Sequence, residues 1–452
     1  MDAPLAGVHV RILQVSTRDV AGGAERSARN LADEYRRLGH ESWLAVGDKR
    51  TDDQYAFAIA NDAHRNAAVR AVDALRRNAF VHRVRGLGRL TSLLRRMAEP
   101  SRMLDVERGR EDLHFPGTAH LLDLPPSRPD ILHLHNLHGD YFDLRELPAL
   151  TRQVPTILNI RDGWLMSGHC AFSLDCERWK TACGDCPDLT LFPAIKRDAT
   201  NFNWRRKQQL LGSSKYYVAT ASEWMMARVR ESIVAGGAID FEVIPNGVDT
   251  RVFHPGDRNA ARRRLGLEPG AHILLVAANG LRDNVWKDYR TLRAALEIVG
   301  ARKRAIVLAV GEPASSEQIG NLELRFVPFQ SDSERLADYY RAADLYLHAA
   351  RVESFGNVLL EARACGTAIV STAIGGIPEQ VPESTGMLVP PFDPRAFAEA
   401  VNALLDDDVK REAIAANGLR HVQANYTLKL QAERFLAWYR EILSREEHHA
   451  SA

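Results

Sequence analysis

The chain has 452 residues, 45% of them hydrophobic and 26% charged, with 59 Lys and Arg against 58 Asp and Glu. That length suits two domains, and the even charge balance excludes a globally polybasic nucleic-acid binder. No run of about eighteen uncharged apolar residues occurs, and the first residues lack the basic and apolar regions of a secretory signal, so a cytoplasmic protein is expected.

Residues 8–15 form an apolar run that reads as a strand. It passes through Gly22 and Gly23 into a helix over 26–38, stopped by Gly39. Strand, glycine turn and helix in that order open a Rossmann-like domain, although a Gly-Gly pair by itself is more often a plain turn. A second strand follows at 41–46. From about 60 to 105 the chain changes character. Between His64 and Arg102, ten arginines (65, 70, 76, 77, 83, 85, 89, 95, 96 and 102) stand against Asp73 and Glu99, with Leu and Val recurring between them. This basic amphipathic helical insertion, interrupted by Gly86 and Gly88, suits an anionic membrane surface or a packed helix with solvated arginines.

Residues 130–141 read as a strand running into a polar turn that carries Asn136 and His138. His133, His135 and His138 are badly spaced for three ligands on one ion, and no carboxylates accompany them, which argues against a metal there. The next strand, 155–160, ends at Arg161 and Asp162. Arginine at that point can hold a phosphate oxygen or a sugar hydroxyl, or make a strand-end ion pair. Four of the five cysteines then fall within a short stretch as Cys170, Cys176, Cys183 and Cys186. In a cytoplasmic chain such a cluster reads as a structural zinc knuckle over 169–187 rather than as disulfides, with His169 able to replace one thiolate. The isolated Cys365 reads as a small core residue.

A helix over 202–211, a strand over 215–220 and a helix capped by Ser222 complete the first βα series. The Pro245-Asn246-Gly247 turn is a natural crossing between domains, which places the boundary near 240. The βα pattern then restarts, with strands at 272–278, 305–312, 324–329, 343–349, 368–372 and 386–391. Helices are expected over 288–299, 358–364 and 393–405, and a last amphipathic helix over 427–443 precedes a tail at Glu446 expected to fray. Lys287, on the turn after the 272–278 strand, can reach a diphosphate as a point charge. After the 343–349 strand comes a polar turn with Glu353 and Gly356, then a helix with Glu361 one turn in. Ligands in open α/β sheets bind beyond the carboxyl ends of the strands, and a helix start there presents free N–H groups to a phosphate. A second glycine turn, Gly375-Gly376 with Pro378 and Glu379, follows the next strand. Spacing alone is equally consistent with two ordinary surface acids.

Taken together, Glu353 and Glu361 with seven residues between them, the Gly-Gly-x-Pro-Glu turn and their order resemble the retaining nucleotide-sugar glycosyltransferases of family four. The resemblance implies a GT-B fold, α/β, with two Rossmann-like domains facing a central cleft and a C-terminal helix packing back on the first domain. The domains would be 8–240 for the acceptor and 241–425 for the nucleotide sugar, with 426–446 returning. Glu353 would lie near the transferred sugar, and Glu361 would hold the ribose. Phe355, Gly356, Asn357 and Val358 would contact sugar and diphosphate, as would Lys287 and Arg282, while Gly22 and Gly23 would lie over the donor phosphates. His138, Arg161 and Asp162 would border the reacting sugar. Many relatives carry His-Asp where this chain has Arg161-Asp162. The cysteine pattern resembles a polysaccharide-assembly branch of the family, which implies a saccharide or lipid-linked glycan acceptor, no catalytic metal, and a peripheral place at the inner face of the plasma membrane. A nucleotide-sugar epimerase and a degenerate nucleotide-sugar-binding protein are the alternatives.

Overall fold

The computed structural model describes residues 9–20, 22–77 and 87–451. The part of the expected basic helix that carries Phe80, Arg83 and Arg85 therefore lies outside the described residues, as does Val8 of the first strand. The chain divides into two compact units. The first holds the residues up to Thr220, Met226–Glu242 and Leu436 onward; the second holds Ala221–Met225 and Val243–Phe435.

Among the described residues, the first unit contains β1 (Arg11–Arg18), β2 (Glu41–Asp48), β3 (Ala56–Ala58), β4 (Ile131–Leu134), β5 (Thr156–Ile160), β6 (Tyr216–Thr220) and β7 (Ala238–Val243), hydrogen-bonded in the order β3-β2-β1-β4-β5-β6-β7. Pairings from β3 through β6 are parallel, with Leu13 opposite Trp43 on one side and Leu132 on the other. β4, β5 and β6 are buried along their whole length, as strands covered on both faces must be.

The second unit repeats the plan with β8 (His272–Ala277), β9 (Ala305–Val310), β10 (Glu317–Ile319), β11 (Leu322–Val327), β12 (Leu345–His348), β13 (Ala368–Thr372) and β14 (Met387–Val389). Their order is β10-β11-β9-β8-β12-β13-β14, and β10 pairs with β11 antiparallel. Side-chain alternation splits the core in two. Ile273, Leu275, Ile306, Leu308 and Tyr346 pack into one apolar layer. Leu274, Val276, Val307, Leu345 and Leu347 pack into another on the opposite face. The helix Tyr289–Gly300 shows how the second layer is closed. Asp288 caps it by accepting from Thr291 N at 3.1 Å, and Leu292, Ala295, Leu296 and Val299 form its buried stripe.

Several elements differ from the sequence expectation. The helix Asp408–Asn425 has no clear apolar stripe and was not anticipated. The C-terminal tail does not fray: the last helix runs Leu428–Ser451, and Glu446 Oε1 accepts from Tyr217 Oη at 3.0 Å. Tyr439 of this helix is buried in the first unit, 2.9 Å from Tyr35 Oη and 2.5 Å from His133 Nδ1. Among the described residues, the basic insertion contains the helices Ala67–Arg77, Leu87–Met97 and Pro100–Glu107. Its arginines are not all solvated. Arg65 is buried against Asp62 and Glu99, Arg95 pairs with Asp62 and Asp73, and Arg102 pairs with Glu99 and Asp112. No helix among the described residues is long and apolar enough to cross a membrane.

Candidate active site

In the second unit, β12 delivers its last residue, His348, fully into the interior at the strand's carboxyl end. The chain then turns through Glu353. Backbone bonds from Asp288 N to Ala349 O (3.1 Å) and from Arg351 N to Trp286 O (2.9 Å) clamp this turn to the loop that carries Lys287. Lys287 Nζ consequently lies 2.7 Å from Glu353 Oε2, and His348 Nε2 lies 3.5 Å from the same oxygen. Burial pushes the Glu353 carboxyl up, but Lys287 and His348 outweigh it and hold it well below the usual carboxylate range. Burial and the neighbouring ammonium lower His348, leaving it a neutral imidazole.

The turn beside it is set by glycine. Gly375 has φ 60°, and a Cβ there would stand 1.9 Å from the Glu353 carbonyl oxygen, so only glycine lets the second loop come this close. Gly376 N closes the contact by donating to Glu353 O at 3.0 Å.

Gly356, in the left-handed region at φ 84°, is the N-cap of the helix Asn357–Ala364. Its turn is supported from beneath. Gln380 Nε2 donates to the carbonyls of Phe355 and Gly356, and the wholly buried Arg363 donates to Gln380 O and Oε1, each at 2.7 Å. The first N–H groups of this helix have no partner within it and add to its positive end. Glu361 Oε2 accepts from the buried Tyr340 Oη at 2.8 Å. Burial keeps that phenol protonated far above its ordinary value, so Tyr340 is a fixed donor.

Other expected donor contacts are occupied differently. Phe355 is a core side chain, its ring 5.9 Å from Tyr426. Val358 packs against the same core. Asn357 Oδ1 accepts from Asn246 Nδ2 at 2.9 Å. Arg282 pairs with Glu312 and lies over the Phe326 ring, 4.8 Å from its centroid. The structure thus joins Lys287 to Glu353 and leaves Arg282 in a separate pair.

In the first unit, Gly22 caps the helix Gly23–Arg37, and its carbonyl accepts from Arg26 N at 3.2 Å. Glu25 in that first turn takes a bond from Thr17 Oγ1 at 2.7 Å. Among the described residues, Arg161 makes no ion pair at the end of β5. It is half-buried and donates to Ser27 Oγ at 3.0 Å, and desolvation lowers it to about 10. Its neighbour Asp162 meets His138: Nε2 to Oδ2 is 2.8 Å, while Asp162 Oδ1 accepts from Trp164 N at 2.9 Å. Burial alone would lower His138, yet Asp162 outweighs it and the imidazole rises above its usual value. Asn136 offers its carbonyl to Tyr141 Oη at 2.6 Å. Below the Trp164 turn the buried Lys207 is satisfied three ways: by Glu111 Oε1 at 2.7 Å, Trp164 O at 2.7 Å and Ser167 O at 3.0 Å. His133 is held by Tyr439 and Asn159, and His135 by Gln14.

Cys170, Cys176, Cys183 and Cys186 do surround one small hollow together with His169. His169 Nε2 is 3.4 Å from Cys186 Sγ. Among the described residues, no three His, Cys, Asp or Glu side chains are grouped so as to hold a metal ion in this arrangement. Without a metal, burial pushes the Cys170 thiol up to about 11 and the Cys183 thiol up to about 12. Cys365 is buried in the core, as expected.

Sequence comparison assigns this chain. Residues 21–252 match the sequence profile described as Glycosyltransferase Family 4. The chain belongs to that family. Residues 271–407 match a second profile, described as Glycosyl transferases group 1. Among characterised proteins, it is similar to D-inositol 3-phosphate glycosyltransferase 1 of Catenulispora acidiphila, with 37% identity over 215 residues, 44% of this chain and 50% of the relative. The chain of a second such enzyme, from Actinosynnema mirum, is 37% identical over 215 residues, 44% of this chain and 51% of that one. Thus the chain spans about half the length of the curated relatives it matches. Its fold is similar to that of sucrose-phosphate synthase from Thermosynechococcus elongatus, with TM-score 0.61 and 19% identity over 97% of this chain and 100% of the other. It is also similar in fold to Anabaena HepE in complex with UDP-glucose, with TM-score 0.59 and 16% identity over 97% of this chain and 100% of the other. Two parallel-sheet α/β units of the GT-B type are the shared architecture.

Proposed function

We propose that the protein is a retaining glycosyltransferase that moves a sugar from a nucleoside diphosphate donor to a hydroxyl of a saccharide or lipid-linked glycan, as in surface polysaccharide assembly. The observation that carries this reading is the Glu353 carboxylate, kept ionised by Lys287 and set just before the Gly356-capped helix. A carboxylate, an ammonium and a helix N-terminus within one turn suit, respectively, sugar hydroxyls, a diphosphate and its departing charge. Glu353 positions the sugar. Lys287 and the first amides of the helix take the diphosphate, and Glu361 takes the ribose, oriented by Tyr340. Arg282 reaches a phosphate only by leaving Glu312. In the first unit, the His138–Asp162 pair, Arg161 and the Gly22-Gly23 turn serve the reacting sugar and the acceptor. No catalytic metal has a place in this scheme.

The test combines thermal stabilisation with turnover. One of UDP, GDP or ADP should raise the melting temperature by mass action. Glu353→Gln should keep that shift and lose at least about a hundredfold in transfer. Unchanged turnover in that variant would sink the assigned role. No shift with any nucleotide would sink the donor site, whereas a shift without transfer by the unmodified protein favours a nucleotide-sugar-binding protein without turnover. A second reading of the acceptor, a phosphorylated cyclitol, rests on the names of the relatives that match half of the chain.

The membrane reading belongs here too. Leu75, Leu90, Leu93, Leu94, Met97 and Leu104 are exposed on the three insertion helices, alongside the exposed Arg70. Such a surface suits an anionic bilayer. Retention on anionic but not on neutral vesicles is the expected result, and equal retention on both would count against it.

A further inference from the structure

Beneath the turn that carries Asp162 lies a buried ammonium with no part in the proposed transfer. Lys207 projects from the helix Thr200–Gly212 and is only 1% exposed. Its three N–H donors are all engaged, one by Glu111 and two by the carbonyls of Trp164 and Ser167. Burial works against the charged form, and Glu111 supports it. A buried ion pair adds little to stability over an apolar filling of the same space. The two carbonyls point to a different use for this one.

Both carbonyls belong to the short turn 161–167. Within it, Met166 N donates to Gly163 O at 3.0 Å and Ser167 N to Trp164 O at 3.3 Å. Trp164 N donates to Asp162 Oδ1 at 2.9 Å, which leaves Oδ2 for His138 Nε2 at 2.8 Å. Lys207 thus reaches the carboxylate through the backbone of one residue. It holds that residue's ring as well. Nζ lies 3.9 Å from the Trp164 ring centroid, and the ring meets His138 edge-on with centroids 5.9 Å apart. His138 Nδ1 has no hydrogen-bond partner among the described residues. The imidazole is therefore oriented by Asp162 and by its aromatic neighbours Trp164 and Phe192.

We propose that Lys207 is a positioning residue of the candidate site, fixing the Trp164 turn and thereby the geometry of the Asp162–His138 pair. Its part in transfer rests on the glycosyltransferase reading; its hold on the pair does not.

Two effects of the ammonium on His138 have opposite signs. Directly, its charge disfavours the imidazolium, which Asp162 and, more weakly, Glu25 favour. Asp140, on the same turn as His138, also faces it. Through the turn, Lys207 secures the Asp162 bond that favours the imidazolium. Loss of Lys207 raises the His138 titration if only its charge matters, and lowers it if positioning matters.

The test follows His138 by nuclear magnetic resonance in the full chain, its signals identified by their loss in His138→Gln. Lys207→Met removes the ammonium but leaves Glu111 buried alone. Lys207→Met with Glu111→Leu removes both charges and keeps the test decisive if the single variant does not fold. In either, His138 should titrate at least about half a pH unit lower than in the parent. With UDP-, GDP- and ADP-glucose as donor probes, kcat for any that is turned over should fall at least about tenfold while KM stays within about twofold. A His138 titration that rises or stays in place, or a kcat that does not fall, overturns the inference. A parent that is neither stabilised by UDP, GDP or ADP nor active with these donors removes the transferase reading, and the titration alone then decides whether Lys207 positions the pair.

Discussion

Lys287 Nζ stands 2.7 Å from Glu353 Oε2, and the two residues come from different loops, 66 positions apart, held together by backbone bonds rather than by the ion pair alone. Glu353 is depressed below its ordinary value, so the stability it contributes is fully present above pH about 4.5 and is lost as pH falls through its lowered value. Lys287→Met reverses the sign. The carboxyl, still buried but without its cation, rises above its ordinary value, and the folded state then binds the extra proton. Melting temperature should therefore fall as pH rises from about 5 to 7 in the variant and not in the parent, with a loss of about 3 kcal/mol at neutral pH. A flat profile in the variant would show that Glu353 does not depend on Lys287.

His138 should titrate above an ordinary histidine because Asp162 overrides its burial. A raised value means that the pair stabilises the fold below pH about 6.5 and that the contribution disappears as pH rises through the raised value. Asp162→Asn should bring the imidazole below its ordinary value, since burial is then unopposed. Nuclear magnetic resonance of the imidazole protons follows this directly, and an unchanged titration would remove Asp162 as the cause.

Tyr439→Phe deletes one hydroxyl that serves both Tyr35 and His133 in a dry interior. His133, driven by burial to about 3, is neutral and cannot recover a partner by charging. Leaving two buried polar groups short of a bond should cost about 2 kcal/mol in urea unfolding. A loss below a few tenths would mean that water replaces the hydroxyl.

Cys170 and Cys183 should alkylate about a hundred times more slowly than a free thiol at pH 8, because burial pushes them to about 11 and about 12. Metal analysis of the purified protein is the companion measurement. Stoichiometric zinc would establish the knuckle that their spacing suggests, and zinc-free protein would leave four thiols.

The parallel strands were legible because each is a short, unbroken apolar run bounded by turn residues, as in Ala305–Val310 and Ala368–Thr372. Glu353 and Glu361 were legible because their spacing straddles a strand end and a helix start. Their partners were not. Lys287 and Glu353 meet through loop-to-loop bonds that no local pattern announces, and His348 looks like any polar residue closing a strand. The buried cations Lys207 and Arg363 sit on helices as ordinary surface residues would, and only tertiary packing turns them inward. The helix Asp408–Asn425 escaped because it lacks a continuous apolar stripe. Arg161 read either as a ligand cation or as one half of a strand-end ion pair, and no local pattern announced its bond to the Ser27 hydroxyl, 134 positions away.

The helix Leu428–Ser451 also sets an order of events during synthesis. Its Tyr439 reaches back 404 positions to Tyr35 and 306 to His133, so the unit that begins at the N-terminus is completed only by the end of the chain. The second unit, Val243–Phe435 with its short N-terminal piece, has all its residues earlier. On a ribosome, the half translated first must wait, its β4 histidine and first-helix tyrosine unsatisfied, until the last helix emerges. A chain truncated just before Leu436 and released should be protease-resistant in its second unit while its first unit is digested.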